Sequence, residues 1–368
     1  MYTFVSTCWS SSETFSSSSF ERQSGSFITR RRTPLFTRPK QQVRVLSLQA
    51  ISQLEKLQKL TVIVADTGDF EQIIKFKPTD ATTNPSLIYQ ASQLPQYRHL
   101  VDDAIKYGKS QAATAEKRID HMRDKLFVNF GAEISKIVPG YVSTEVDARL
   151  SFDVEGSVQQ AEKLIHLYEE IGVPKNRILI KLASTWEGIQ AASILEKKGI
   201  HCNMTLLFNI CQAASAAEAG ATLISPFVGR ILDWYKKNKG QEYTADNDPG
   251  VVSVKEIFYY YKKFGYPTIV MGASFRNKDE ILALAGCDRL TIAPKLLKEL
   301  MESDGEVAQK LDAEEAKKKN LERIPTDEKS FRWLLNQDPM ATEKLAEGIR
   351  SFAQDIVSLN KLLDKVLV

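Results

Sequence analysis

Eight short runs of β-branched and apolar residues, separated by longer amphipathic stretches, constrain this chain more than any other feature. They fall at 60–65, 80–83, 141–146, 178–182, 202–207, 222–226, 268–272 and 289–293. Alternation of this kind is the pattern of βα units feeding a parallel sheet. Eight such strands close most naturally into a single (β/α)8 (TIM) barrel of the α/β class, and barrels reach 250 residues or more as one unit. A helical insert over 94–137 separates the second and third strands, and the tail over 328–368 reads as further helices packed outside. The charged stretch 312–323 reads as a solvated helix face or loop. Ser184-Thr185-Trp186-Glu187, just after the fourth strand, has the S-x-x-E form of a capping box.

Hydrophobic residues make up 43% of the 368 and charged residues 26%, enough for a sizeable core and against disorder throughout. The most apolar stretch, 206–224, is broken by Asn209, Gln212, Ser215 and Glu218, which a bilayer core would not accept, so no membrane span is expected. The four cysteines, Cys8, Cys202, Cys211 and Cys287, contain no C-x-x-C pair, and the four histidines show no H-x-x-x-H or H-x-H spacing. Neither a disulfide framework nor a metal site is indicated.

Residues 1–50 are a different kind of sequence, with serine runs at Ser10-Ser11-Ser12 and over 16–19. Seven basic residues, including the triplet Arg30-Arg31-Arg32, against Glu13 and Glu21 give this segment a charge of +5, leaving −2 for the rest of a chain whose net charge is +3. Such a segment cannot bury a core, and its composition matches an organelle transit peptide. A tail with no address and a basic nucleic-acid arm are the alternatives. The serine runs favour a plastid over a mitochondrion, with a cut between Val43 and Ala50. If the leader is no transit peptide, the address is the cytoplasm. The slightly acidic remainder, 51–368, has no evident affinity for nucleic acid.

Barrel chemistry sits at the C-terminal ends of the strands, where this sequence carries polar residues repeatedly. Lys181 stands in the apolar run Ile178-Leu179-Ile180-Lys181-Leu182. A lysine facing inward loses the hydration that favours its ammonium form, and the free amine attacks ketones; a structural ion pair is the alternative. Asp66 and Glu145 are carboxylates at two other strand ends, suited to proton transfer or to capping a helix and pairing Lys181 or Arg149. Arg230 and Arg276 follow strand ends beside small residues, Ser274 among them, and guanidinium forks suit phosphate. Thr82, Asn84, Asn203 and Thr205 could hold sugar hydroxyls or simply form turns and caps.

These segments resemble the signatures of the transaldolase family. They are Val64-Ala65-Asp66-Thr67-Gly68-Asp69, Asp80-Ala81-Thr82-Thr83-Asn84-Pro85, Ser143-Thr144-Glu145-Val146-Asp147, Ile178-Leu179-Ile180-Lys181-Leu182-Ala183 and Ile224-Ser225-Pro226-Phe227-Val228-Gly229-Arg230. The likeness runs from about residue 52 to the C-terminus and includes Asn336-Gln337-Asp338-Pro339-Met340. It implies a transferase that moves a dihydroxyacetone unit between sugar phosphates in the non-oxidative pentose phosphate pathway. Lys181 would form the Schiff base, Asp66 would take the C4 hydroxyl proton, and Glu145 with Thr205 would position a water. Thr82, Asn84, Asn203 and Ser225 would bind hydroxyls, and Arg230, Arg276 and Ser274 the phosphate. Related fructose-6-phosphate aldolases carry tyrosine at the place of Phe227, so phenylalanine here points to transfer. No cofactor is implied, and a homodimer is the common assembly. A metal-dependent aldolase barrel is disfavoured because no histidine falls in these motifs. A non-catalytic sugar-phosphate-binding barrel would not be expected to keep Lys181, Asp66 and Glu145 together.

Overall fold

A computed structural model describes residues 51–111 and 114–365; the leader expected over 1–50 lies outside them. Eight parallel strands form a closed barrel in chain order: β1 Val62–Asp66, β2 Asp80–Thr82, β3 Val142–Glu145, β4 Ile178–Ala183, β5 His201–Leu207, β6 Leu223–Pro226, β7 Ile269–Gly272 and β8 Arg289–Ile292. All eight expected strands are present, with ends moved by one or two residues. After the short helix Pro85–Ala91 that follows β2, the insert expected over 94–137 is a 3-10 turn, Pro95–Tyr97, and two helices, Arg98–Gln111 and Ala115–Ser135. The stretch 312–323 holds only the short helix Ala313–Ala316. No described helix is long and apolar enough to cross a membrane.

Pleating sends alternate residues to opposite faces of each strand, and this sorts the barrel wall into two chemistries. Ile63, Ala65, Ile178, Ile180 and Leu182 belong to the large core between barrel and helices. Val64, Leu179, Leu223 and Met271 form a separate apolar cluster. Two residues further along the same strands stand Asp66, Lys181 and Ser225. The same inward columns therefore climb from an apolar plug to a polar layer at the C-terminal mouth. Below the plug, Arg289 pairs with Asp80, whose carboxylate also accepts from the Tyr141 amide at 2.8 Å.

Two sequence expectations are corrected. The helix Trp186–Lys197 is capped by Thr185, whose hydroxyl accepts from the Gly188 amide at 2.9 Å. Ser184 instead donates to the Thr205 carbonyl, and Glu187 pairs with Arg332, so there is no capping box. The tail, secondly, is not simply outside the barrel. Its last helix, Pro339–Asp364, carries an apolar stripe of Met340, Ala341, Leu345, Ile349 and Phe352 that packs with Leu206, Phe208, Phe227 and Ala273 at the strand ends. Ile356, Leu359 and Leu363 continue it into a second cluster built from the insert after β2.

Candidate active site

Strand register sets the polar layer. Asp66 pairs with Thr82 and Thr82 with Ser143, while Glu145 pairs with Lys181 and Lys181 with Asn203, so neighbours in register become neighbours in chemistry. Lys181 is 5% exposed, its ammonium donating to the Thr83 carbonyl at 3.1 Å and standing 3.5 Å from Glu145 Oε2. Glu145 is 4% exposed, and burial pushes its carboxyl up to about 6, against the pull of Lys181. Asp66 faces the cavity and accepts from Thr82 Oγ1 at 2.9 Å. Burial raises its carboxyl too, with Lys181 again opposing. Two carboxylates poised above their ordinary range beside one amine are the means to move protons near neutral pH.

A hydroxyl and amide relay lines one side. Ser225 donates to Asn203 Oδ1 at 2.8 Å, and Asn203 Nδ2 donates to Ser143 Oγ at 3.1 Å. Thr82 Oγ1 lies 2.8 Å from Thr291 Oγ1. Among the described residues, Thr205 Oγ1 and Glu145 Oε2 are buried with no close hydrogen bond, the latter facing only the Lys181 ammonium at 3.5 Å. Buried polar atoms ordinarily find one, so both are set to receive one from solvent or substrate.

The opposite side is cationic. Arg230 opens into the cavity from the first turn of the helix Val228–Lys239. Its guanidinium lies near two rings, 4.8 Å from the centroid of Phe227 and 5.4 Å from that of Phe352. Burial and the charge of Arg276 weaken its hold on its proton. Gly229 lets this helix start hard against the β7 loop, since a Cβ there would come within 2.4 Å of the Ser274 carbonyl oxygen. Ser274 itself takes a left-handed φ of 63°, a conformation costly for a residue with a Cβ and concentrated at functional sites. Arg276 is held by Asp233 at 2.6 Å and by the Ser274 carbonyl at 3.2 Å.

The family model for transaldolase/fructose-6-phosphate aldolase matches residues 63–363. The chain belongs to this family. A transaldolase of Shewanella baltica is 61% identical over 84% of this chain and 97% of its own length. A probable transaldolase of Drosophila melanogaster is 58% identical over 88% and 98%. The transaldolase of Rattus norvegicus is 59% identical over 85% and 93%.

Of the residues picked from the sequence, Asp66, Thr82, Asn84, Lys181, Ser225, Phe227, Arg230 and Ser274 line one cavity. Glu145 reaches it through Lys181, Asn203 through Ser225, and Arg276 through Ser274. Thr205 sits in register with Ala183, one pleat beyond Lys181. Asn84 does two jobs: it lines the cavity and caps the helix Pro85–Ala91 by accepting from the Leu87 amide at 2.9 Å. Asp66 caps nothing, because Asp69 caps the helix that follows β1. Arg149 pairs with Asp147 rather than Glu145. The sequence reading of this family member missed Met271, Ala273, Thr291 and Phe352 in the wall. The inward period of β7 and β8 could have found the first three; nothing local marks Phe352.

Proposed function

We propose that this chain works as a transaldolase through a covalent intermediate on Lys181. The amine adds to the ketone carbon of fructose 6-phosphate or sedoheptulose 7-phosphate, and loss of water gives an imine. Asp66 takes the proton of the C4 hydroxyl as the C3–C4 bond breaks, and the electron pair flows into the imine to give an enamine. The aldose phosphate leaves. Glyceraldehyde 3-phosphate or erythrose 4-phosphate then accepts the three carbons as Asp66 returns its proton, and water hydrolyses the new imine. Glu145 and Thr205, each with a buried oxygen that makes no hydrogen bond among the described residues, hold the water that moves protons around the imine. Asn84, Asn203, Thr82 and Ser225 hold hydroxyls of the dihydroxyacetone part. Arg230, Arg276 and Ser274 hold the phosphate, and Phe227 denies the donor chain a hydroxyl at that wall.

The observation that carries this reading is Lys181, buried 3.5 Å from Glu145, opening into one cavity with Asp66 and Arg230. A coupled assay with fructose 6-phosphate and erythrose 4-phosphate tests it. Glyceraldehyde 3-phosphate should form beyond one equivalent per active site only when the acceptor is present. Release of free dihydroxyacetone at a similar rate without acceptor would assign aldol cleavage instead.

Residues 1–50 we read as a transit peptide, on their basic, serine-rich and acid-poor composition. Fused to a fluorescent reporter, they should direct it into plastids with loss of the segment; a reporter left in the cytoplasm would refute this. The expected assembly is a homodimer, which sedimentation of the purified chain tests.

A further inference from the structure

We propose that Phe352, on the C-terminal helix, is a positioning residue that orients Arg230 for the phosphate of the sugar substrate. The inference rests on the reading of Arg230 as a phosphate ligand. Two arginines approach the site, and they are held in different ways. Arg276 is paired with Asp233 at 2.6 Å, so an incoming phosphate has to compete with a carboxylate already in place. The guanidinium of Arg230 makes no ion pair or hydrogen bond with the described residues and is gripped instead by the rings of Phe227 and Phe352. A guanidinium held over aromatic rings is oriented by cation–π attraction while its N–H donors stay free for an anion. Rings orient the charge without neutralising it.

The helix that brings Phe352 is fixed where this role requires. Gly348, one turn earlier, lies against the site: a Cβ there would stand 2.6 Å from Leu206 Cδ2 and 3.4 Å from Arg230 Nη1. Glu343 accepts from the Trp234 indole at 2.7 Å, tying the helix to the one that carries Arg230. Asp355 accepts from Ser86, two residues beyond Asn84, and so ties it to the opposite wall. Phe352 is 3% exposed yet lines the same cavity as Arg230.

Steady-state transfer kinetics with a matched pair of acceptors, erythrose 4-phosphate and D-erythrose, test the proposal. In a reaction that passes through a covalent intermediate, kcat/KM for the acceptor isolates the second half-reaction. Phe352→Leu should lower kcat/KM for erythrose 4-phosphate about tenfold, or about 1.4 kcal/mol, and leave that for D-erythrose within about twofold, since only the phosphate reads the arginine. Phe352→Tyr should restore the parent ratio, because the ring is kept. Phe352→Met, close in volume and unbranched, should repeat the leucine result and stands in for it if that variant unfolds. Equal losses on both acceptors, or an unchanged ratio in the leucine and methionine variants, would overturn the role of Phe352. A parent chain that does not itself prefer erythrose 4-phosphate would instead overturn the phosphate reading of Arg230, and this inference with it.

Discussion

Replacing Glu145 with glutamine should stabilise the protein at neutral pH while stopping catalysis. Burial raises the Glu145 carboxyl from an ordinary 4.5 to about 6. A shift of about 1.5 units corresponds to about 2 kcal/mol of difference between the two protonation states. Because the folded-state value is raised, the stability this group contributes is fully present below pH 4.5 and is lost as pH rises through about 6. Above that range the native protein carries a buried charge that the unfolded chain would hold in water. Glutamine keeps the shape and removes the charge. Glu145→Gln should therefore melt with the parent at pH 4 and exceed it by about 2 kcal/mol, or roughly 4 °C, at pH 7.5. Losing the proton-transfer group should cost on the order of 100-fold or more in kcat. Calorimetry at the two pH values, with the transfer assay at pH 7.5, reads both effects. A variant less stable than the parent at pH 7.5 would show that the Lys181 pairing outweighs the burial of the carboxylate and would refute the reasoning.

Three further outcomes follow from the geometry. Arg230→Gln should raise KM for phosphorylated acceptors roughly 10- to 100-fold, the value of a charge-assisted hydrogen bond, with a much smaller effect on unphosphorylated aldoses. Asp233→Asn removes the carboxylate that competes for Arg276, so KM for erythrose 4-phosphate should fall by about two- to fivefold with kcat little changed; a rise in KM would show that Asp233 orients the arginine productively. Thr185→Ala should cost about 1 kcal/mol in thermal unfolding through the lost helix cap, whereas Ser184→Ala should leave the cap in place.

The barrel was legible because its signal is local and repeated. A β-branched run such as Ile178-Leu179-Ile180 declares a strand by composition, and eight in order leave few architectures open. Part of the candidate site was legible for the same reason: Asp66 ends and Lys181 interrupts an apolar run, so each stands out within its own strand, whereas Glu145 lies in the polar run Ser143-Thr144-Glu145 and stands out only through the family likeness. Phe352 and Gly348 lacked that contrast. Phenylalanine in an amphipathic helix at the spacing of Leu345 and Ile349 is ordinary core, and only the path of the helix across the strand ends turns the ring toward Arg230. Ser184 misled for a related reason. The S-x-x-E spacing is there, but the Ser184 hydroxyl is taken by the Thr205 carbonyl and Thr185 caps the helix. The cysteines, silent in sequence, are buried at Cys202, Cys211 and Cys287, and burial raises all three thiols, Cys211 and Cys287 up to about 12. Little thiolate is available there for redox chemistry.

The most direct measurement is borohydride trapping of the purified chain with fructose 6-phosphate and no acceptor, followed by digestion and mass spectrometry. A three-carbon adduct on the Lys181 peptide, discharged when erythrose 4-phosphate is added before reduction, is the predicted result. No adduct, or one on another lysine, would contradict the account.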